Sequence, residues 1–203
     1  MESVNPRTGD VRLVKHYIVR DHEHEHGLAG LLTVVGVKYT TARDVAAKSI
    51  DLAWRKLGLP PKQSLGENTP LHGGNIARYD DYVQEEARRK LKGLTEKSVK
   101  HLIANYGAAY PEVLQHTNEN SEALLPLARS TEVLRAEVVH GIRAEMALKL
   151  SDVVMRRTEL GSAGHPGAEA VQACAKIMAE ELKWNEPRVR AELAEVEALF
   201  VPA

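Results

Sequence analysis

Residues 31 to 43 read Leu-Leu-Thr-Val-Val-Gly-Val-Lys-Tyr-Thr-Thr-Ala-Arg, and they join a strand to the start of a helix. The apolar, β-branched run from 31 to 35 is typical of a strand covered on both faces. Gly36 lets the backbone come close to a ligand. From Ala42 to Leu57 the apolar residues recur at helical spacing, and Gly58 is a natural stop.

The start of this helix has the features of an anion site. Thr40 or Thr41 can cap it, and its unpaired N–H groups and positive dipole end favour a phosphate. Lys38 follows the strand end and is aimed at the same place. The alternative is that Lys38 is a solvated loop lysine, and the residues alone leave both interpretations open.

Segments spread over residues 12 to 160 carry a family resemblance. Gly36 to Arg43 resembles the G-G-K-[YWL]-T-T-x-R motif of FAD-dependent (aerobic-type) glycerol-3-phosphate dehydrogenases. Ile18 to Asp21 and Gly27 to Leu31 are similar to the hairpin before that motif. Three later segments resemble L-x-x-x-Y-G, A-E-[IV]-x-x-[AG]-[IVA]-R-x-E-x-A and L-x-D-V-[LV]-x-R-R-T: Leu102 to Gly107, Ala136 to Ala147 and Leu150 to Thr158.

The resemblance implies oxidation of sn-glycerol 3-phosphate to dihydroxyacetone phosphate, with FAD passing electrons to quinone or another acceptor. It implies that Lys38 and Arg20 bind substrate. It implies cofactor contacts, largely through backbone N–H groups, at Gly36, Val37, Lys38, Thr40 and Thr41. Val37 stands where the family more often has glycine. The resemblance assigns no catalytic residue and no metal ligand to this chain.

The element that would seat the pyrophosphate of FAD is not in this sequence. No G-x-G-x-x-G follows a strand, and the glycines near residues 27 to 30 and 72 to 74 have the wrong spacing. The resemblance therefore implies a C-terminal piece of a larger flavoenzyme, with Met1 as a new or artificial start. Its partners would be glycerol 3-phosphate and the missing N-terminal FAD domain. The chain alone is expected neither to retain FAD nor to turn over substrate.

Composition sets further limits on the 203-residue chain. A formal net charge of −1 and a pI near 6.8 give no electrostatic reason to expect nucleic-acid binding. No apolar stretch approaches the roughly 18 residues of a membrane span, and no signal-peptide pattern opens the chain. We therefore expect a cytoplasmic protein. Homo-oligomerisation, and peripheral attachment of the full enzyme to the inner membrane, stay open. The single cysteine, Cys174, is expected to be a buried bystander.

The predicted fold class is mainly α: a C-terminal helical bundle preceded by a β-hairpin and a helix left over from an FAD-binding domain. The hairpin strands are predicted at 11–20 and 31–36. The predicted domains are 1–58 for the flavin-domain remnant, 59–78 for a Pro- and Gly-rich linker, and 79–203 for the helical domain. Further helices are predicted at 79–91, 95–106, 110–116, 131–148, 151–157, 167–182 and 187–199, with Ser151 and Asn185 as N-caps or near-caps.

Three charged groups have competing interpretations. Arg20 can grip a phosphate bidentately or form a surface ion pair. Arg43, in the first turn of a helix, can bind a phosphate or a carboxylate, or pair with Asp44 or Asp51. In an extended strand, His22, His24 and His26 would share one face suited to zinc, but the run falls in the hairpin turn, which favours a polar loop without a physiological metal.

Charged residues of the helical half are assigned structural roles. Asp152 and Arg156 are four residues apart and can pair on one helix face. Glu137, Arg143 and Glu145 are expected to form interhelical ion pairs. The second function that the sequence leaves open is a non-enzymatic helical domain, derived from the same scaffold, that binds a protein partner. Exposed apolar helix faces would favour it, or would mark where the missing flavin domain packs.

Overall fold

The chain divides into two compact units, Met1–Pro70 and Leu71–Ala203. The structure, a computed structural model, describes residues 2–4, 8–9, 11–13, 16–36, 38–60, 62–91, 93–118 and 120–201. The division falls inside the predicted linker 59–78, whose bounds stay a prediction. Within the described ranges, no helix is both long and apolar enough to cross a membrane.

Unit 1 contains two antiparallel pairs of short strands. β1 (Glu2–Val4) pairs with β2 (Val11–Leu13), and β3 (Ile18–Asp21) pairs with β4 (Leu32–Val35). The prediction of one strand over 11–20 is wrong, because its two halves pair with different partners. The second pair is the predicted hairpin.

The connection between β3 and β4 is helical rather than a polar loop. α1 (His22–His26) begins at Asp21, whose carboxylate accepts the Glu23 N–H at 3.0 Å, and it ends at Gly27, which has a φ of +67°. A helix turns alternate residues to opposite sides, so the single histidine face of an extended strand does not form. No described group of three or more His, Cys, Asp or Glu residues is arranged to hold a metal.

α2 (Ala42–Lys56) is the long helix of unit 1 and follows a 3₁₀ turn over Tyr39–Thr41. It ends as predicted at Gly58, whose N–H donates to the Arg55 carbonyl, while the Leu59 N–H donates to Trp54. This pair of hydrogen bonds is a Schellman cap, and Gly58 supplies the positive φ of +66° that the cap requires.

Unit 2 is helical, as predicted. Its α-helices are α3 (Tyr79–Arg88), α4 (Glu96–Tyr106), α5 (Tyr110–Gln115), α6 (Arg135–Arg143), α7 (Leu150–Asp152), α8 (Ala168–Leu182) and α9 (Glu186–Leu199). Short 3₁₀ helices cover Gly107–Ala109, His116–Asn118 and Ser121–Leu124, and a π-helical turn covers Val153–Arg157.

Two of the predicted helix boundaries need comment. Asn185 is the N-cap of α9 and accepts the Arg188 N–H at 3.0 Å, as predicted. The prediction of Ser151 as an N-cap is wrong, because Ser151 lies inside α7 and Lys149 occupies the cap position. The Asp152 side chain forms the hydrogen bond at the N-terminal end of α7 instead, since its carboxylate accepts the Lys149 N–H at 3.0 Å.

Two clusters of buried side chains stabilise unit 2. The larger one joins α6 to α9 and includes Val138, Leu150, Cys174 and Met178. The smaller one joins α3, α4, α5 and the start of α6, and it is centred on Leu102, Ile103, Val113 and Leu134. Burial of such side chains is the main stabilising contribution to a bundle of short helices.

Candidate functional site

The motif from Gly36 to Arg43 lies beside an open concavity of unit 1. The concavity has a volume of about 510 Å³. It lies where β4 gives way to α2, and its lining residues are Val34, Gly36, Lys38, Tyr39, Ala42, Val45 and Ala46. The wall is therefore mainly apolar, with one cation.

The sequence of the strand end explains this arrangement. β4 stops at Val35, Gly36 follows it, and Lys38 is exposed at the concavity. The Tyr39 side chain is 101% exposed, so the aromatic ring is presented wholly to solvent in this unit. Val37 lies outside the described residues, and its predicted cofactor contact stays a prediction.

The helix-capping role predicted for the threonines is wrong in its side-chain part. Thr41 stands at the N-cap position of α2, but its hydroxyl donates to the Lys38 carbonyl at 3.0 Å. Neither the 3₁₀ turn nor α2 has a side-chain cap hydrogen bond. The first N–H groups of α2 are therefore not capped by these hydroxyls. The dipole at this end still favours a negative group.

The predicted site residues are only partly brought together. Gly36 and Lys38 line the same concavity, whereas Thr40 and Arg20 are not among its described lining residues. Arg20 lies opposite Thr33 in the β3–β4 ladder. Its guanidinium pairs with Glu25 of α1, with Nε and Oε2 3.1 Å apart, and both side chains are more than 40% exposed. In this unit Arg20 therefore forms the surface ion pair that the sequence left as an alternative.

Arg43 has a different partner from those the sequence suggested. Its guanidinium donates to the carbonyl oxygen of Gly66 and so fastens the segment around residue 64 to α2. The Lys62 ammonium lies 5.3 Å from the centre of the Trp54 ring on the same side of the helix. The hydrogen bond from the Arg43 side chain to the Gly66 backbone thus explains why a cation lies at the start of α2.

Sequence reasoning missed the residue pair that fastens the hairpin to α2. The Lys56 ammonium lies 2.8 and 3.0 Å from the two Asp21 carboxylate oxygens and also pairs with Glu23. The hydrogen bond from Lys56 lowers the pKa of Asp21, and the bond to Asp21 raises the pKa of Lys56. The sequence did contain a signal for α1, the turn that follows Asp21. Asp21 and Gly27 bracket this one-turn helix as its N-cap and its C-terminal glycine.

The motifs of unit 2 carry structural contacts. Arg156 pairs with Asp152 at 3.2 Å, as predicted. Arg143 of α6 donates two hydrogen bonds of 2.8 Å to the Glu181 carboxylate of α8, which confirms its interhelical pairing. This contact lowers the pKa of Glu181.

The contact that Glu137 makes with another helix confirms its predicted interhelical role. It is 2% exposed and its carboxylate contacts His101 of α4. Glu145 lines a cleft of about 340 Å³ together with Tyr106 and Arg157. Its predicted ion pair stays a prediction.

Comparison with known proteins gives a consistent result. Residues 64–189 match the family described as the C-terminal domain of alpha-glycerophosphate oxidase. The "Probable glycerol-3-phosphate dehydrogenase, mitochondrial" of Dictyostelium discoideum is 32% identical over 187 residues, which are 91% of this chain and 29% of that protein. Glycerol-3-phosphate dehydrogenase 2 of Mycobacterium tuberculosis is 30% identical over 180 residues, covering 86% of this chain and 30% of the relative.

A solved structure extends the match to the fold. The Bacillus halodurans glycerol-3-phosphate dehydrogenase, determined in complex with FAD, aligns with a TM-score of 0.65 and 25% identity over 83% of this chain and 35% of that one. This chain spans about 30% of the length of the curated relatives just described. Because the family match covers more than half of the residues, the chain belongs to the family of the C-terminal domain of alpha-glycerophosphate oxidase.

Proposed function

We propose that this chain works as the C-terminal part of an FAD-dependent glycerol-3-phosphate dehydrogenase. The observation that carries the proposal is the concavity beside the β4–α2 junction, which is lined by Lys38 and by mainly apolar residues. An anionic substrate with a small carbon skeleton needs a cation, whereas a flavin ring needs an apolar surface with few polar groups. Lys38 of the motif that resembles the family's own supplies the cation. The apolar wall is formed by Tyr39 and Ala42 of the same motif together with Val34, Val45 and Ala46.

The residues fit a flavin-dependent reaction. The flavin, when bound, supplies the chemistry by accepting a hydride from C2 of glycerol 3-phosphate. Gly36 leaves the backbone bare at the wall, since nothing lies within 4 Å of the place where a Cβ would stand. Lys38 would bind the substrate phosphate or the electron-rich edge of the flavin, and the first N–H groups of α2 would favour negative charge at the same end.

Arg20 would add a second cation on binding. It forms an exposed ion pair with Glu25, and exposed pairs of this kind are worth only about 0–1 kcal/mol. Exchange of Glu25 for a substrate phosphate is therefore energetically accessible, and the planar guanidinium could then contact two phosphate oxygens.

FAD itself would be held mostly by another polypeptide segment, because this sequence lacks the glycine-rich turn that seats a dinucleotide. We therefore propose that the chain by itself does not retain FAD and acts together with a flavin-binding domain. A cytoplasmic location, with peripheral membrane attachment of the complete enzyme, belongs to the same proposal, as does assembly into a homo-oligomer.

A non-enzymatic interaction domain is the second candidate function, and it rests on one observation that the enzyme proposal shares. Unit 1 exposes large apolar side chains, with Tyr39 at 101%, Leu65 at 73% and Leu57 at 71%. Such surface suits a protein partner. A flavin-binding domain would cover it equally well, so the two candidates differ in the activity of the assembled protein.

The test joins this chain to the flavin-binding part of the Bacillus halodurans enzyme, in place of that enzyme's own C-terminal portion. The joined protein is assayed for flavin absorbance and for glycerol-3-phosphate-dependent dye reduction, and the flavin-binding part alone is the control. A flavin spectrum with turnover in the joined protein only would support the proposed enzyme. A joined protein that binds flavin but gives no turnover above the control would favour the interaction domain.

A further inference from the structure

His101 of α4 is placed between two carboxylates. Its Nε2 lies 3.0 and 3.2 Å from the two oxygens of Glu137, and its Nδ1 lies 3.3 Å from Oε1 of Glu159. The His101 side chain is only 7% exposed. Glu137 comes from α6, and Glu159 follows the π-helical turn. The imidazole therefore links three separate segments of unit 2.

The number of protons on the His101 ring decides which of its neighbours the ring can bind. An ionised carboxylate can only accept hydrogen bonds, and a neutral imidazole carries a single N–H. A neutral His101 with its N–H on Nε2 can accept the Asn105 amide at Nδ1, 3.4 Å away, and then has no proton to offer Glu159. The doubly protonated ring donates to Glu137 through Nε2 and has its Nδ1 at ion-pair distance, 3.3 Å, from Glu159. Burial disfavours the charged ring, but hydrogen bonding and attraction from Glu137, with the charge of Glu159, outweigh it and raise the pKa of His101.

The groups facing the ring belong to four segments. Glu137 lies on α6, Glu159 on the segment after the π-helical turn, and Glu132, farther away, on the loop before α6. On its own helix, the Asn105 amide lies 3.4 Å from Nδ1 and donates to the His101 carbonyl at 3.0 Å. The charged groups that act most strongly on the ring are thus the carboxylates of Glu137, Glu159 and Glu132, and each favours the cationic ring.

The two carboxylates are not equivalent. Glu137 is 2% exposed and also accepts the Leu134 N–H at 2.7 Å, so it is a fixed acceptor at the start of α6. The Glu159 side chain is 55% exposed and can be solvated by water instead. When the ring holds one proton, that proton belongs on Nε2 facing Glu137, because the buried carboxylate has no water to replace the bond. Deprotonation of Nδ1 therefore removes the ion pair with Glu159.

We propose that His101 is a pH-sensitive clamp: its doubly protonated ring pairs with Glu159 and ties that residue to α4, and loss of the Nδ1 proton as the pH rises releases it. The consequence falls on the adjacent cleft. Glu159 lines it together with Arg156 and Arg157, so the released carboxylate becomes available to those guanidinium groups.

The sign of the linked stability follows from the direction of the shift. The folded-state pKa of His101 is raised above the ordinary value of 6.5. The stabilisation is therefore fully present below pH 6.5 and is lost as the pH rises through the folded-state pKa. The clamp is closed at pH values below the folded-state pKa of His101 and open above it.

The test follows the full 203-residue chain by NMR between pH 5.5 and 9. The His101 ring carbon resonance should titrate with a midpoint above 6.5, and the backbone amides of Thr158 to Leu160 should shift with the same midpoint. Glu159→Gln, at a partly exposed position, should lower the midpoint by about 0.5 pH unit and abolish the linked amide shifts. Glu112→Gln is the matched control, since Glu112 faces the exposed His72 in another ion pair, and it should leave both signals unchanged.

Two results would overturn the clamp. One is a His101 midpoint at or below 6.5, which would mean that the two carboxylates do not outweigh burial in favouring the doubly protonated ring. The other is an unchanged titration of the Thr158 to Leu160 amides in Glu159→Gln, which would show that these amides report some other group.

Discussion

The Lys56 ammonium and the Asp21 carboxylate form an ion pair that joins the last turn of α2 to the end of β3, with Nζ 2.8 Å from Oδ2. Each side chain is only 16% exposed, so the pair is better shielded than the other ion pairs among the described residues of unit 1. Asp21 also caps α1 through the Glu23 N–H. One carboxylate thus fixes both the hairpin connection and its position on the helix.

Replacing Lys56 with methionine should loosen the hairpin without unfolding α2. The variant keeps most of the side-chain volume but leaves Asp21 without its cation, so amides of β3, β4 and α1 should exchange faster with solvent. Hydrogen exchange measured residue by residue checks this outcome. Arg55→Met is the matched control, because Arg55 donates to the Asp51 carbonyl one turn back in the same helix. Equal exchange in the two variants would mean that the ion pair does not hold the hairpin.

Gly107 is expected to be the most restrictive glycine of unit 2. It has a φ of +57°, and a Cβ built on it would lie 2.1 Å from the Gly73 carbonyl oxygen, which accepts the Ala108 N–H at 2.8 Å. Gly107→Ala should therefore lower the free energy of unfolding by about 3 kcal/mol, from strain and backbone displacement together. Urea unfolding followed by circular dichroism measures the change.

Gly164→Ala separates the cost of backbone strain from the cost of displacing a neighbouring backbone segment. Gly164 has a φ of +118° but nothing within 4 Å of its virtual Cβ, so this variant should show the backbone strain alone and lose about 1–2 kcal/mol. Equal losses in the two variants would indicate that the close approach of Gly73 and Gly107 is easily relieved.

Tyr110→Phe should destabilise unit 2 through a buried carboxylate. The Tyr110 hydroxyl donates to Glu86 at 2.6 Å, and both residues are 3% exposed. Removing the hydroxyl leaves that Glu86 oxygen without its donor, which should cost about 1–3 kcal/mol of unfolding free energy. Tyr79→Phe is the control, because Tyr79 is 49% exposed. A loss in Tyr110→Phe no larger than in the control would show that the buried carboxylate takes up another donor.

Cys174 should be chemically silent in the folded protein. The thiol is completely buried, and burial raises its pKa to about 12. Since the thiolate is the reactive form, an aromatic disulfide reagent at pH 8 should label it only as fast as the protein unfolds. Labelling in urea supplies the reference rate. Rapid labelling without urea would place the thiol in a more open environment than the α8 core.

The elements of unit 2 were predictable because their signals are local. Capping residues, glycine stops and helical spacing of apolar residues lie within a few positions of one another, as at Asn185 and in the stretch 168–182. Strand pairing is a distant relation, so alternation over 11–20 could not reveal that its two halves join different partners. The one-turn α1 was missed because its five residues carry no apolar periodicity.

The candidate site was predictable only in its position along the chain. The strand, glycine, lysine and helix start follow in the order read from the sequence, and Gly36 and Lys38 do line one concavity. Side-chain partners were less accessible. Thr41 bonds backward to Lys38, Arg43 bonds to Gly66, and Arg20 bonds to Glu25, each contact being set by the folded path of the backbone.

Whether Lys38 faces the reacting groups is tested most directly by kcat/KM for glycerol 3-phosphate in the joined protein carrying Lys38→Ala. Loss of a charged hydrogen-bonding contact to a phosphate or to the flavin should lower kcat/KM by about 10- to 100-fold while the flavin spectrum is retained. Lys100→Ala is the control, because Lys100 pairs with Glu96 on the surface of α4, and it should match the parent protein. Equal kcat/KM in Lys38→Ala and in the parent protein would contradict the placement of Lys38 at the substrate and flavin site.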